Sequence, residues 1–310
     1  MEETRSRWRI FGKALRFLFW AGLALLVVVQ LWKPAHLDAV RADVVRRFQE
    51  QRKSRVIVLV HGEDTISLFG VPFGSFINME DSESILRAIR LTPSDQPIDF
   101  ILHTPGGLVL AAEQIAHALA EHKGKVTVFV PHYAMSGGTL IALTADEIVM
   151  DPNAVLGPVD PQIGDMPAAS IVKLLEQKPR AQISDEMLVL IDVAAKARLQ
   201  VTTFLTEVLL KHRSKGDAAR LAAILSEGHW THDFPITVEA AKQLGLPVST
   251  QMPRIIYDLM DLYPQSGIGR PSVLYVPFPR SARKGGKAQD SPSSDDGQSA
   301  HIRGRSALRP

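Results

Sequence analysis

From Arg55 onward the chain alternates between two hydrophobic periods, and that alternation limits its fold more than any other feature. "RVIVLVHG" (55–62), "IDFILHTPGG" (98–107) and "KVTVFVPHY" (125–133) are short apolar runs that end in turn residues, as buried strands do. Between the first two, "DSESILRAIRL" (81–91) sets Ile85, Leu86 and Ile89 on one helical face, with Asp81 or Ser82 placed to cap it. "LVLAAEQIAHALAEH" (108–122) turns Leu110, Ile115, Ala118 and Leu119 inward and meets Gly124 past its end. "GGTLIALTA" (137–145) opens a third helix and "EIVMDP" (147–152) is a fourth strand. Strands that alternate with crossover helices pair in parallel, so an α/β fold with a mostly parallel sheet is expected.

Further helices are expected from Ser184 to about His212, over Asp217–Leu225, and over 237–246, where Gly245 stops the last one. "PSVLYVPF" (271–278) reads as an added strand. From Arg280 the chain is polar and lacks the apolar side chains that offset ordering entropy, so a disordered tail is expected. Residues 37–53 have a helical stripe of Leu37, Val40, Val44 and Phe48 and read as a stalk, a self-association helix or a solvated spacer. Ahead of them, "FLFWAGLALLVVVQLW" (17–32) carries no charge. Extended back through Ala14 it reaches about 19 residues, with Arg16 free to snorkel, near the ~20 that span a bilayer. Trp20 and Trp32 suit interfacial depth, and no A-x-A cleavage site follows, so an uncleaved transmembrane helix is expected. Basic residues flank it on both sides, which leaves only a slight lean towards a cytoplasmic N-terminus. The resulting division is an anchor (1–33), a helical linker (34–54), one catalytic-sized domain (55–279) and the tail (280–310).

A net charge of +2 gives no footprint for nucleic acid, and the absence of cysteine excludes thiolate metal sites and cysteine nucleophiles. Three loops follow predicted strands: "HTPGG" (103–107), "PHYAMSGG" (131–138) and "LGPVDPQIG" (156–164). Open α/β sheets bind ligands at the C-terminal edge of the strands. Acyl transfer needs a nucleophile, a proton acceptor and preformed donors for the oxyanion. Ser136 stands at a strand-to-helix turn, Gly106 and Gly107 turn without a Cβ penalty and aim backbone N–H groups into the same edge, and Gly137 allows close approach of a substrate backbone. The competing reading makes Ser136 a plain N-cap and the glycines plain turns.

"ILHTPGGLVLAAEQIAHALAEH", "VFVPHYAMSGGTLIALTADEIVMDPNAVLGPVDPQIG" and "GHWTHDFPITVEAAKQLGL" resemble the serine dehydrogenase proteinase family. These are membrane-associated serine peptidases on the ClpP/crotonase fold, related to signal peptide peptidase A, and the resemblance covers roughly residues 55–265. It implies a spiral of ββα units, Ser136 as nucleophile, an oxyanion hole from Gly107 and Gly137, a polypeptide substrate and homo-oligomerisation; no cofactor is expected, and membrane lipid is expected around the N-terminal apolar run, which lies outside the resemblance.

The base is the open element. Signal peptide peptidase A relatives use a lysine on a later helix, and the Clp proteolytic subunit uses a histidine about 25 residues after the serine. The comparable position here is Asp160, so a lysine is favoured. Lys196, in the apolar stretch "MLVLIDVAAKARLQ" (187–200), is the first choice, because burial there makes a neutral amine available. The competing reading pairs an exposed Lys196 with Asp192. Lys173 and Lys178 have more polar neighbours. Among the histidines His103, His132 and His232, the last can act with Asp233 as base and orienting carboxylate, so Asp160, His232 and Asp233 are accessory candidates. No metal is expected, for want of H-E-x-x-H or short ligand spacing. The alternatives to a peptidase are an acyl-CoA enzyme of the crotonase type and an inactive membrane scaffold.

Overall fold

The computed structural model describes residues 19, 20, 22, 36–62, 66–68, 71–73 and 76–263. The apolar run 17–32 lies outside them apart from Phe19, Trp20 and Gly22, and so do the strand expected at 271–278 and the tail from 280. Among the described residues no helix is long and apolar enough to cross a membrane.

The core is a five-stranded parallel sheet. Its strands are β1 (Arg55–Val60), β4 (Ile98–His103), β5 (Val126–Val130), β7 (Glu147–Met150) and β12 (Val248–Ser249), in that spatial order. A small antiparallel hairpin, β2 (Ile66–Leu68) and β3 (Val71–Phe73), lies between β1 and α2 (Met79–Arg90) in the chain. α2 crosses from β1 to β4, α3 (Val109–Ala120) from β4 to β5, and the short α4 (Gly137–Ala142) leads into β7. α2 starts with a capping box in which Asn78 receives the N–H groups of Glu80 and Asp81 and Asp81 accepts the Asn78 N–H.

The pleat sorts the strand residues between two cores. Ile98, Phe100 and Leu102 of β4, with Val126, Val128 and Val130 of β5, point to the face covered by α2 and α3. That core continues into α6 (Asp185–Leu209), α7 (Lys215–Ser226) and α8 (Val238–Gln243). Ile101 and Phe129 point the other way and meet Val44 and Phe48 of α1 (36–52) and Ile256 and Leu259 of α9 (Arg254–Met260). The segment read as a stalk, a self-association helix or a solvated spacer is thus a helix with one stripe packed against the sheet. Phe48 lies edge-on to Phe129 at 5.6 Å. Arg52, at the end of α1, donates to both oxygens of the buried Asp99 at 2.6 and 3.1 Å, and Ser54 donates to the same carboxylate at 2.6 Å.

A second, smaller sheet stands at the C-terminal edge of the first. β8 (Val155–Leu156) pairs in parallel with β6 (Tyr133–Ala134) and antiparallel with β11 (Ile236–Thr237). A bridge from Thr104 to Ala134 ties it to the end of β4. A hairpin of β9 (Gln162–Ile163) and β10 (Met166–Pro167) leads into α5 (Ala168–Gln177), which packs with the N-terminal half of α6. The small sheet carries the chain after α7 back to the sheet edge where the glycine loops open.

Candidate active site

Ser136 has φ +50° and ψ −115°, a backbone region that residues with a Cβ rarely occupy. It stands at the N-cap position of α4, yet its hydroxyl caps nothing. A serine placed only to cap a helix gives its oxygen to a backbone N–H one turn on. This one does not, and the surrounding structure holds its strained backbone in place. Met135 N–H donates to the Thr104 carbonyl at 3.0 Å and Gly138 N–H to the Met135 carbonyl at 2.7 Å. Thr139 donates its hydroxyl to Ala134 at 2.7 Å and receives Gly157 N–H at 2.9 Å.

The glycine loop after β4 fits against this turn without side chains. A Cβ on Gly106 would stand 2.9 Å from the Ser136 Cβ, and one on Gly107 would stand 2.3 Å from the Ile77 carbonyl oxygen. Gly106 lies at φ +108°, and its N–H is taken by Thr104 Oγ1 at 3.2 Å. The expected donor role for Gly106 therefore gives way to a turning role. Gly107 and Gly137 N–H groups have no acceptor among the described residues. The two residues are close: a Cβ on Gly137 would lie 3.7 Å from the Gly107 nitrogen.

Behind the loop is a buried polar relay that the sequence did not reveal. His61 Nδ1 is 2.7 Å from Thr104 Oγ1, and its Nε2 is 3.3 Å from Asp81 Oδ2. Burial holds the His61 imidazole below its ordinary pKa, against the opposing pull of Asp81.

Ser136, Gly107 and Gly137 line a cavity of about 250 Å³ together with Val109, Asp160 and His232. Asp160 is buried, and its carboxylate holds His232 Nδ1 at 2.8 Å and Gln162 Nε2 at 2.6 Å. Gln162 had no place in the sequence reading; its only signal was its position two residues after Asp160. With Nδ1–H given to Asp160, the His232 ring keeps Nε2 as a proton acceptor. His232 itself is about one-third exposed. Asp233, expected as its orienting carboxylate, is exposed on the turn beyond it, and Asp160 occupies that role in geometry.

Lys196 is elsewhere. Its side chain is 67% exposed and pairs with Asp192 at 2.5 Å, one helical turn away. The expected burial is not found, because Asp192, Val193, Ala195 and Lys196 form the outer face of α6 while Ile191 and Ala194 face the core. Lys196 does not line the Ser136 cavity. Lys173 and Lys178 lie on and just after α5 and do not line it either. His103 is buried against Tyr133, with ring centroids 4.2 Å apart, and stacks on the exposed His132 at 5.8 Å. Among the described residues, no group of three or more His, Asp or Glu is placed to hold a metal ion.

Over residues 10–290 the chain matches the family described as ClpP-like SDH-type serine proteinase. The protein is a member of that family. An uncharacterized protein of Methanocaldococcus jannaschii is 52% identical over 247 residues, which is 80% of this chain and 84% of that one. Among solved structures, the 1510-N membrane-bound stomatin-specific protease is 21% identical over 60% of this chain and 79% of its own, with a TM-score of 0.40. ClpP1 from Listeria monocytogenes is 17% identical over 66% of this chain and 96% of its own, with a TM-score of 0.41.

Proposed function

We propose that the protein is a membrane-anchored serine endopeptidase with Ser136 as nucleophile. The observation that carries this reading is the strained, uncapped Ser136, whose cavity is also lined by Gly107, Gly137 and the Asp160-held His232. Ser136 Oγ attacks the peptide carbonyl carbon as His232 Nε2 takes its proton. The carbonyl electrons move onto oxygen, and the Gly107 and Gly137 N–H groups hold that oxyanion. Collapse breaks the C–N bond, and His232 returns the proton to the leaving amine. Water then enters by the same route and frees the acyl group from Ser136. Asp160 keeps the imidazole in the tautomer that accepts at Nε2 and stabilises the imidazolium when it forms.

His232 is preferred to Lys196 as base because it shares the cavity and Lys196 does not. The acyl-CoA reading has no comparable support: no Arg or Lys lines the Ser136 cavity or the groove next to it to meet a CoA phosphate. The membrane anchor rests on the uncharged run 17–32, and homo-oligomerisation on the family resemblance.

Casein cleavage by the full-length chain beside its Ser136→Ala variant tests the reading. Loss of activity by at least about 1000-fold is expected, since nucleophile removal costs that much or more in serine peptidases. Equal cleavage by the two proteins would overturn it.

A further inference from the structure

The Ser136 cavity does not end at its own walls. Val109, Pro161, Gln162 and Val201 line both that cavity and a wider groove of about 780 Å³ between the start of α3 and the second half of α6. The groove is apolar at its rim. Val109, Leu110 and Leu199 remain 47%, 59% and 69% exposed. Among the described residues its charged lining is of one sign: Glu113 and Glu207, with no lysine or arginine.

Glu113 is the unusual member. It sits one turn into α3, on the same face as Val109 and Leu110, and is half-buried. Its carboxylate makes no hydrogen bond or ion pair among the described residues, while every other buried carboxylate near the site is partnered. Burial pushes the Glu113 carboxyl above the usual range by removing hydration from its charged form. A carboxylate so placed can gain a partner when a cation enters the groove.

We propose that this groove is the substrate channel of the Ser136 centre, and that Glu113 selects an extended polypeptide bearing a lysine or arginine among apolar residues. This rests on the peptidase reading of Ser136 and adds the substrate class to it. An extended strand advances about 3.3 Å per residue. It lays apolar side chains against Leu110, Leu199 and Val201, while a single basic side chain reaches Glu113 at a fixed offset from the scissile bond. Flanking apolar contacts dry the groove and strengthen that charge pair. The shared walls run the same strand past the oxyanion donors.

The test uses the full-length protein and apolar peptides that differ at one scanned position, occupied by Lys, Gln or Glu. Wild type is expected to favour Lys over Gln at one position by about tenfold or more in kcat/KM, as a charge-assisted hydrogen bond in a partly dry site requires. Glu113→Gln should erase that preference, and Glu113→Lys should turn it towards Glu. The Ser136→Ala protein, which does not cleave, should bind the peptides in the wild-type order. Ser136-dependent cleavage with no charge preference, or a preference that survives Glu113→Gln, overturns the groove assignment and leaves the peptidase reading standing. Cleavage that survives Ser136→Ala overturns the peptidase reading itself. A Glu113→Lys protein that changes oligomeric state with unchanged selectivity also overturns the proposal, by making the groove an interface between copies.

Discussion

His232 and Lys196 each sit on a carboxylate at a similar distance, 2.8 Å to Asp160 and 2.5 Å to Asp192. Their settings are opposite. Asp160 is buried at the edge of the parallel sheet, holds Gln162 as well, and shares a cavity with Ser136. Asp192 and Lys196 lie on the solvent face of one helix, 61% and 67% exposed. The lysine pair follows from i, i+4 spacing alone, which any exposed helix supplies. The histidine pair joins residues 72 apart in the chain and exists only because the fold builds it. A short contact to a carboxylate therefore does not identify a base. In the proposed mechanism His232 is favoured because its carboxylate partner is buried and it shares a cavity with Ser136.

The comparison breaks most visibly at His232. His232→Ala is expected to lower kcat by about 1000-fold or more, close to the effect of removing Ser136, because in the proposed mechanism the two act as one unit. Asp160→Asn should follow with a loss of about 100-fold or more, since the amide favours the wrong histidine tautomer. Steady-state peptide cleavage with matched circular dichroism spectra checks both. Full activity in His232→Ala would remove the distinction between the two pairs and return the choice of base to a lysine.

The sequence revealed the parallel sheet because its strands are long apolar runs and its crossovers keep a clean 3.6 period. The common edge on which Ser136, Gly107 and Gly137 stand was legible for a related reason: they lie next to those strands, so their shared position followed from the strand order. His232 and Asp160 were visible as residue types but not as a pair. They are joined through β8 and β11, strands of two residues each, too short to carry a period. Lys196 misled because apolar neighbours were taken for burial. Val189, Val193 and Leu199 are apolar and still exposed at 65%, 43% and 69% on α6. The packed role of α1 was missed because its stripe of Val44 and Phe48 has no sequence mark for which surface it covers.

A smaller effect separates the relay behind the glycine loop from both pairs. Burial sets the His61 pKa in the fold below the 6.5 of the unfolded chain, so folding favours its neutral form. The unfolded state then binds more protons between those two values, so stability is complete above about pH 6.5 and falls as acid is added. Thermal unfolding from pH 7.5 down to 5.5 should show a larger drop in wild type than in His61→Gln, whose side chain does not titrate. An equal drop in both would mean that protonating His61 costs the fold nothing, and that Thr104 and the loop it orders do not depend on it.

The smallest expected effect belongs to Lys196, and it sharpens the opening contrast from the other side. Lys196→Ala removes an exposed ion pair worth only a few tenths of a kcal/mol, about what an i, i+4 pair contributes to a helix. Alanine has the higher helix propensity, which offsets part of that loss. Unfolding free energies of the two proteins should therefore lie within about 0.5 kcal/mol of each other. Their kcat/KM values should agree within about twofold, since no group that lines the Ser136 cavity is altered. A loss of 100-fold or more with unchanged stability would require the Lys196 amine to reach Ser136 in the working enzyme. His232 and Asp160 would then be an ion pair that shapes the cavity wall and moves no proton.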